Sequence, residues 1–156
     1  MKITLIWACT RMPDWVEAGV AEYRKRLPRE FELQLTEIPL GQRGKNADTG
    51  RAMAREGEAC LKAVGPGDFL IALDVKGRNL STEQMALEVG KLRDQGFNLA
   101  LLVGGPDGLA PECLKVARAS WSLSALTFPH PIVRIILAEQ LYRVWSLLAG
   151  HPYHRP

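Results

Sequence analysis

The sequence predicts one α/β domain over residues 1–156: a parallel-type sheet with helices on both faces. Three observations carry this. Strand-like and helix-like stretches alternate from end to end of the chain. Two short runs, "DFLIAL" at 68–73 and "FNLALLV" at 97–103, are continuously apolar rather than alternating, the mark of strands buried on both faces. A chain of this length buries roughly 70% of the surface its unfolded form exposes, so one core suffices. Its 47% apolar and 24% charged residues are those of an ordinary globular protein.

Residues 2–8, "KITLIWA", read as a first, buried strand. "RMPDWVEAGVAEYRKRL" (11–27) has helix chemistry. Pro13 suits the first turn, Asp14 and Glu17 favour the positive end of the dipole, and Arg24, Lys25 and Arg26 fall in the last turn. Trp15, Gly19, Tyr23 and Leu27 recur every fourth residue and predict its buried face. Phe31, Leu33 and Leu35 alternate with Glu32, Gln34 and Thr36, a half-exposed strand over 31–38. The Gly-rich, basic "PLGQRGKNADTGR" (39–51) has no apolar period and reads as a long loop. It is open to two readings, a plain connection or a basic flap that closes on substrate or RNA. A helix over 47–63 follows, ended by "GPG" at 65–67.

After the strand at 68–73, "DVKGRN" turns the chain. Ser81 with Gln84 three residues on makes a capping box, and the helix it opens runs to Gly96. The strand at 97–103 leads to a helix opened by Pro111 and running to about 119. Residues 121–126 read as a last short strand or an extended loop. "PHP" at 129–131 breaks the chain before a final helix over 131–148, whose Val133, Ile136, Leu137, Leu141, Val144 and Leu148 follow helical spacing.

No apolar run approaches the ~20 residues that span a bilayer. The apolar stretch at the N-terminus is too short for a signal peptide, and the expected location is the cytosol. Cys9, Cys60 and Cys113 form no CxxC pair, so neither a disulfide framework nor a cysteine zinc site is indicated. The net charge of +3 is unevenly placed: residues 114–156 carry five basic side chains against Glu139 alone, together with all three histidines. An anionic partner near the C-terminal end and a mildly basic surface both satisfy that pattern. Asp14/Glu17 and Glu56/Glu58 read as helix-surface charges rather than acid/base pairs.

Two stretches are chemically unusual. "LLVGGPDGLAPE" (101–112) is a glycine turn between a strand and a helix, where α/β proteins often hold a cofactor. It lacks the lysine of a phosphate loop, and Pro106 takes the second glycine of a dinucleotide fingerprint. Asp107 would repel a phosphate. The turn therefore suits a phosphate-free ligand, an adenine edge read by main-chain groups, or is simply a tight strand–helix turn. "SWSLSALTFPHP" (120–131) interleaves Ser122, Ser124 and Thr127 with Leu123, Ala125, Leu126 and Phe128. Small polar groups among apolar walls are what a small-molecule pocket needs; the alternative is an irregular buried segment. The closing "HPYHRP" (151–156) reads as a free tail with groups for hydrogen bonding, stacking and a phosphate contact.

Taken together, "LVGGPDGL", "WSLSALTFPHPIVRIILAEQLYRVWSLLAGHPYHRP", "RMPDWV" and "GKNAD" resemble the bacterial 23S rRNA pseudouridine-N3 methyltransferases of the SPOUT superfamily, over the whole chain and in motif order. Asp107 departs from the glutamate more usual there and keeps the charge. The resemblance implies a C-terminal trefoil knot, which no periodicity argument predicts. It implies S-adenosyl-L-methionine as methyl donor, held by Leu73, Gly104, Leu123, Ser124, Ala125, Leu126, Thr127 and Phe128. The implied acceptor is N3 of a pseudouridine in helix 69 of 23S rRNA, on the 70S ribosome, with RNA rather than DNA or a membrane as partner. The N3 proton must leave, to solvent or to a base. His130, Tyr153 and His154 are candidates for that role by type, and Arg143 and Arg155 for phosphate contact or anion stabilisation. The resemblance also implies a homodimer, with the apolar final helix and Trp145 as interface elements and a tail that orders on binding and completes the partner's site.

Overall fold

The computed structural model describes residues 1–41 and 48–156. Five strands, β1 (Lys2–Ala8), β2 (Glu32–Ile38), β3 (Phe69–Asn79), β4 (Leu99–Val103) and β5 (Ala119–Ser122), form one sheet in the order β2-β1-β4-β3-β5. Every neighbouring pair is parallel. The helices are α1 (Asp14–Arg24), α2 (Thr49–Lys62), α3 (Thr82–Asp94), α4 (Pro111–Val116) and α5 (His130–Leu148). Successive side chains of a strand face opposite ways. Ile3, Leu5 and Trp7 of β1 accordingly join Val16, Val89 and Leu137 in one apolar cluster, under α1, α3 and α5. Ile6 and Ala8 join Cys60, Leu102 and Cys113 in the other, under α2 and α4. Helices cover both faces, as the alternation of patterns predicts.

Local chemistry sets most boundaries. The Ser81–Gln84 capping box forms in both directions and opens α3, and Gly96 follows its end at φ +82°. The Asp48 carboxylate caps α2 by accepting from the Arg51 amide at 3.0 Å. Pro111 and Pro131 occupy the first turns of α4 and α5. The centre of the 39–51 loop, the flap reading, the helix start at 47 and most of "GKNAD" lie outside the described residues.

The structure corrects four sequence expectations. The sheet-facing residues of α1 are Val16 and Val20, and Trp15 is 55% exposed. Gly19 and Tyr23 instead face α5, where a Cβ at Gly19 would lie 2.9 Å from Ile135 Cδ1. One helix thus carries two packing faces, and the four-residue repeat from Trp15 follows the second of them. The turn expected in "DVKGRN" is a bulge inside β3: Leu73 and Arg78 both register against Trp121, so the intervening residues are extruded. Gly77 is needed there, because a Cβ would stand 2.6 Å from the Trp121 carbonyl carbon. Helix α4 ends at Val116, since the Arg118 amide donates to the Leu70 carbonyl and launches β5. Glu56 is buried and not a surface charge: it lies on the α2 stripe of Ala52 and Cys60, and its Oε1 accepts from the Gly41 amide at 2.9 Å.

Candidate functional site

Leu73 registers against Val103 on one side and Trp121 on the other. The start of the β3 bulge therefore adjoins the ends of β4 and β5. Leu73 stands at that bulge, Gly104 follows the last residue of β4 and the 123–128 segment follows the last residue of β5, so three stretches far apart in sequence adjoin. Gly104 and Gly105 are buried. The turn folds back on itself, with the Gly108 amide donating to the Gly105 carbonyl at 3.0 Å. A Cβ at Gly104 would stand 2.4 Å from the Gly108 carbonyl carbon, and Gly108 itself holds φ +87°.

The facing segment leaves the sheet after Ser122, whose hydroxyl donates to the Ser124 carbonyl at 3.0 Å. The Leu126 amide donates to Ser124 Oγ, also at 3.0 Å, so the two serines shape the loop. Leu123, Ser124 and Phe128 are half-buried, while Ala125, Leu126 and Thr127 are exposed. No charged side chain occurs between Ala119 and Pro129, and Asp107 is the only charge from Gly104 to Ala110. Uncharged walls, main-chain donors and acceptors and closely approaching glycines fit an adenine and a cationic sulfur. They do not fit a phosphate. His130 closes the segment: its Nε2 lies 3.0 Å from the Gly105 carbonyl oxygen.

Arg143, Tyr153 and His154 gather elsewhere, around a residue the sequence reading left aside. Glu139 Oε1 accepts from Arg143 Nε at 2.9 Å, from Arg143 Nη2, and from the Tyr153 hydroxyl at 3.1 Å. Arg143 Nη1 lies 3.3 Å from His154 Nδ1. A guanidinium only donates, so Nδ1 accepts and the ring proton sits on Nε2, which donates to Glu83 Oε1 at 3.0 Å. The Tyr153 ring meets Tyr142 edge-on at 4.5 Å and lies under Arg143. Burial, then the Glu139 hydrogen bond and charge, push the Tyr153 phenol up to about 12, so it keeps its proton at neutral pH and serves as a donor rather than a base. Glu139 in turn holds the Arg143 guanidinium above its usual range. The carboxyl of Glu83 is lowered, first by its own backbone amide and then by His154.

The tail is thus seated, not free. The His151 amide donates to the Ser146 carbonyl at 2.8 Å, and the His151 ring packs on Trp145. Arg155 is exposed just beyond. His130 and Arg143 are thirteen residues apart on one helix, roughly 20 Å along its axis at about 1.5 Å per residue. The expected catalytic set therefore divides into His130 at the glycine turn, a separate Arg143–Tyr153–His154 group, and Arg155 exposed beyond it.

A third polar cluster went unread in the sequence. Arg134 is 4% exposed in its side chain; Nη1 pairs with Glu37 at 2.7 Å, Nη2 donates to Cys9 Sγ, and its guanidinium lies 4.5 Å from the Trp7 ring. Burial raises the Cys9 thiol, against the opposing pull of Arg134. Helical spacing to Leu137, Ala138 and Leu141 put Arg134 on the buried stripe, and the i, i+4 relation of Glu139 to Arg143 was equally readable.

An all-parallel sheet with helices on both faces, and with a glycine turn and an uncharged segment adjoining at its C-terminal edge, has the arrangement in which α/β proteins bind ligands. The chain matches the model of the family described as predicted SPOUT methyltransferase over residues 1–154, and it belongs to that family. It is 56% identical, over 155 residues, to the ribosomal RNA large subunit methyltransferase H of Chromohalobacter salexigens, covering 99% of this chain and 100% of the relative. In fold it is similar to a probable methylase family protein of Haemophilus influenzae, at TM-score 0.55 and 14% identity, covering 99% of this chain and 70% of that one. It is also similar to a putative methylase family protein of Neisseria gonorrhoeae, at TM-score 0.54 and 10% identity, covering 97% and 95%.

Proposed function

We propose that this chain is an S-adenosylmethionine-dependent methyltransferase acting on N3 of a pseudouridine in helix 69 of 23S rRNA, on the assembled 70S ribosome and in the cytoplasm. It works as a homodimer of single domains spanning residues 1–156, each closed by a C-terminal trefoil knot. The observation that carries the reading is the adjoining of Leu73, at the β3 bulge, with Gly104 and 123–128, at the ends of β4 and β5, together with an Arg–Tyr–His group that the tail forms on the final helix. The 56% identity to a large-subunit rRNA methyltransferase supports the substrate class.

When bound, S-adenosylmethionine supplies a methyl group on a positively charged sulfur. Main-chain groups of 123–128 and the Gly104 turn would hold its adenine, and Leu73 and Leu123 would line the apolar wall beside it. Arg143, with Arg155, balances the charge that develops on the acceptor as its N3 proton leaves. Tyr153 donates a hydrogen bond. His154 offers Nδ1 as the proton acceptor once RNA takes over the Arg143 Nη1 contact; solvent is the alternative. The roughly 20 Å between His130 and Arg143 along α5 supports a site shared between two copies, the tail group of one serving the cofactor segments of the other.

Calorimetry with S-adenosylmethionine and a tritiated-methyl assay on 70S ribosomes against free 50S subunits test the reading. No cofactor binding at millimolar ligand, or label on bases other than a pseudouridine, overturns it. Deleting 151–156 leaves cofactor affinity intact and abolishes turnover. Mixing that variant with Gly104→Trp restores activity if the site is shared, and leaves the mixture inactive if it is not.

A further inference from the structure

Glu139 is the one acidic residue among the last 43, and its carboxylate is 17% exposed. Its Oε1 receives three donors from two groups: Arg143 Nε, Arg143 Nη2 and the Tyr153 hydroxyl. Its Oε2 receives Gln140 Nε2 at 2.8 Å. The Gln140 Oε1 accepts in turn from the Thr82 hydroxyl, at 2.8 Å, so the carboxylate is tied to the start of α3. A lone i, i+4 ion pair on an exposed helix contributes little. This pair does more. The guanidinium that Glu139 grips lies 4.8 Å from the centre of the Tyr153 ring, and the hydroxyl of that ring is held by the same oxygen. One carboxylate therefore fixes both a cation and the aromatic ring beneath it, and through Arg143 Nη1 it sets where His154 Nδ1 points.

We propose that Glu139 is a positioning residue: it locks Arg143 and Tyr153 into the single arrangement that receives the acceptor nucleotide, so that the tail is set before RNA arrives. This rests on the reading of Arg143 and Tyr153 as acceptor-side groups. Pre-set geometry of this kind lowers the cost of ordering side chains in the reacting complex. Glu139 touches neither cofactor segment: none of its partners lies in the glycine turn or in 123–128. Its loss is therefore felt in turnover and not in cofactor binding.

The test compares Glu139→Gln, which keeps size and one acceptor oxygen, with Glu139→Ala and Tyr153→Phe. Subtracting the ultraviolet titration of Tyr153→Phe from that of the intact protein isolates the ionisation of Tyr153. In Glu139→Gln it moves down from about 12 toward the ordinary tyrosine value, by about one pH unit, because the facing charge is gone while burial remains. The kcat on 70S ribosomes falls at least about tenfold, with S-adenosylmethionine affinity within about twofold of the parent. Glu139→Ala shows a larger loss of the same kind, and if it fails to fold, Glu139→Gln still decides. An unmoved Tyr153 titration, an unchanged kcat, or a parallel loss of cofactor affinity overturns the proposal. If the parent protein methylates no ribosomal RNA, the functional reading falls, and the titration still decides whether Glu139 holds Tyr153.

Discussion

His130 Nε2 lies 3.0 Å from the Gly105 carbonyl oxygen, tying the first residue of α5 to the glycine turn of β4. A carbonyl only accepts, so Nε2 carries the proton. His130 Nδ1 is buried and has no hydrogen-bond partner among the described residues. Through this contact we propose His130 as a strut for the glycine turn. His130→Ala weakens S-adenosylmethionine binding about fivefold, the worth of one hydrogen bond of about 1 kcal/mol. Calorimetry measures this, and turnover at saturating cofactor stays near the parent value. A loss confined to saturated turnover contradicts the assignment.

Gly104 and Gly105 differ in what they tolerate. A Cβ at Gly104 meets Gly108 backbone at 2.4 and 2.6 Å, whereas at Gly105 its nearest neighbour is the flexible end of Leu40 at 3.1 Å. Gly104→Ala costs about 1–3 kcal/mol in urea unfolding, as overpacking does, and sharply reduces cofactor affinity. Gly105→Ala costs less on both counts. Equal costs would show that the backbone of the turn yields freely.

The buried Arg134 depends on Glu37. Removing Glu37 strands a buried cation, which is costlier than removing both charges. Glu37→Ala therefore lowers stability more than the double variant Glu37→Ala/Arg134→Met. The difference is on the order of 1 kcal/mol, because Glu37 is 47% exposed and partly screened. Chemical denaturation of the four proteins in the cycle decides, and additive effects would exclude the coupling.

Stability falls in alkali through groups whose protons the fold retains, Cys60 and Tyr153 foremost among them. Burial, with the nearby Cys113 and Glu56, pushes the Cys60 thiol up to about 12, and Tyr153 is raised to about 12 as well. In the unfolded chain these groups lose their protons at about 8.5 and about 10. Between those values and 12 the folded state binds more protons than the unfolded one, so stability declines as pH rises. Their contribution is fully present below about 8.5. Melting temperature is expected to drop steadily from pH 9 to 11.5, and Cys60→Ala to flatten the early part of that slope. A parallel slope in the variant would assign the decline elsewhere.

The sequence by itself determined the sheet-and-helix alternation, the bounds of β1, the Ser81–Gln84 cap, the buried β4 and the buried first part of β3, because period, caps and burial are local consequences of residue type. It also marked the stretches that adjoin at the C-terminal edge of the sheet. Only the tertiary structure decided what those stretches meet. The order β2-β1-β4-β3-β5 sets Leu73 beside Val103 and Trp121, residues separated by thirty to fifty positions. Glu139 reads in the sequence as one charge on an apolar helix; the tail that folds back onto it makes it a hub. Glu56 reads as a surface charge and Arg134 falls on the apolar stripe of the final helix, and in both the burial is offset by partners, Gly41 and Glu37, that no local pattern names. Such contacts join distant parts of the chain, and only closing the loops between them brings the partners together.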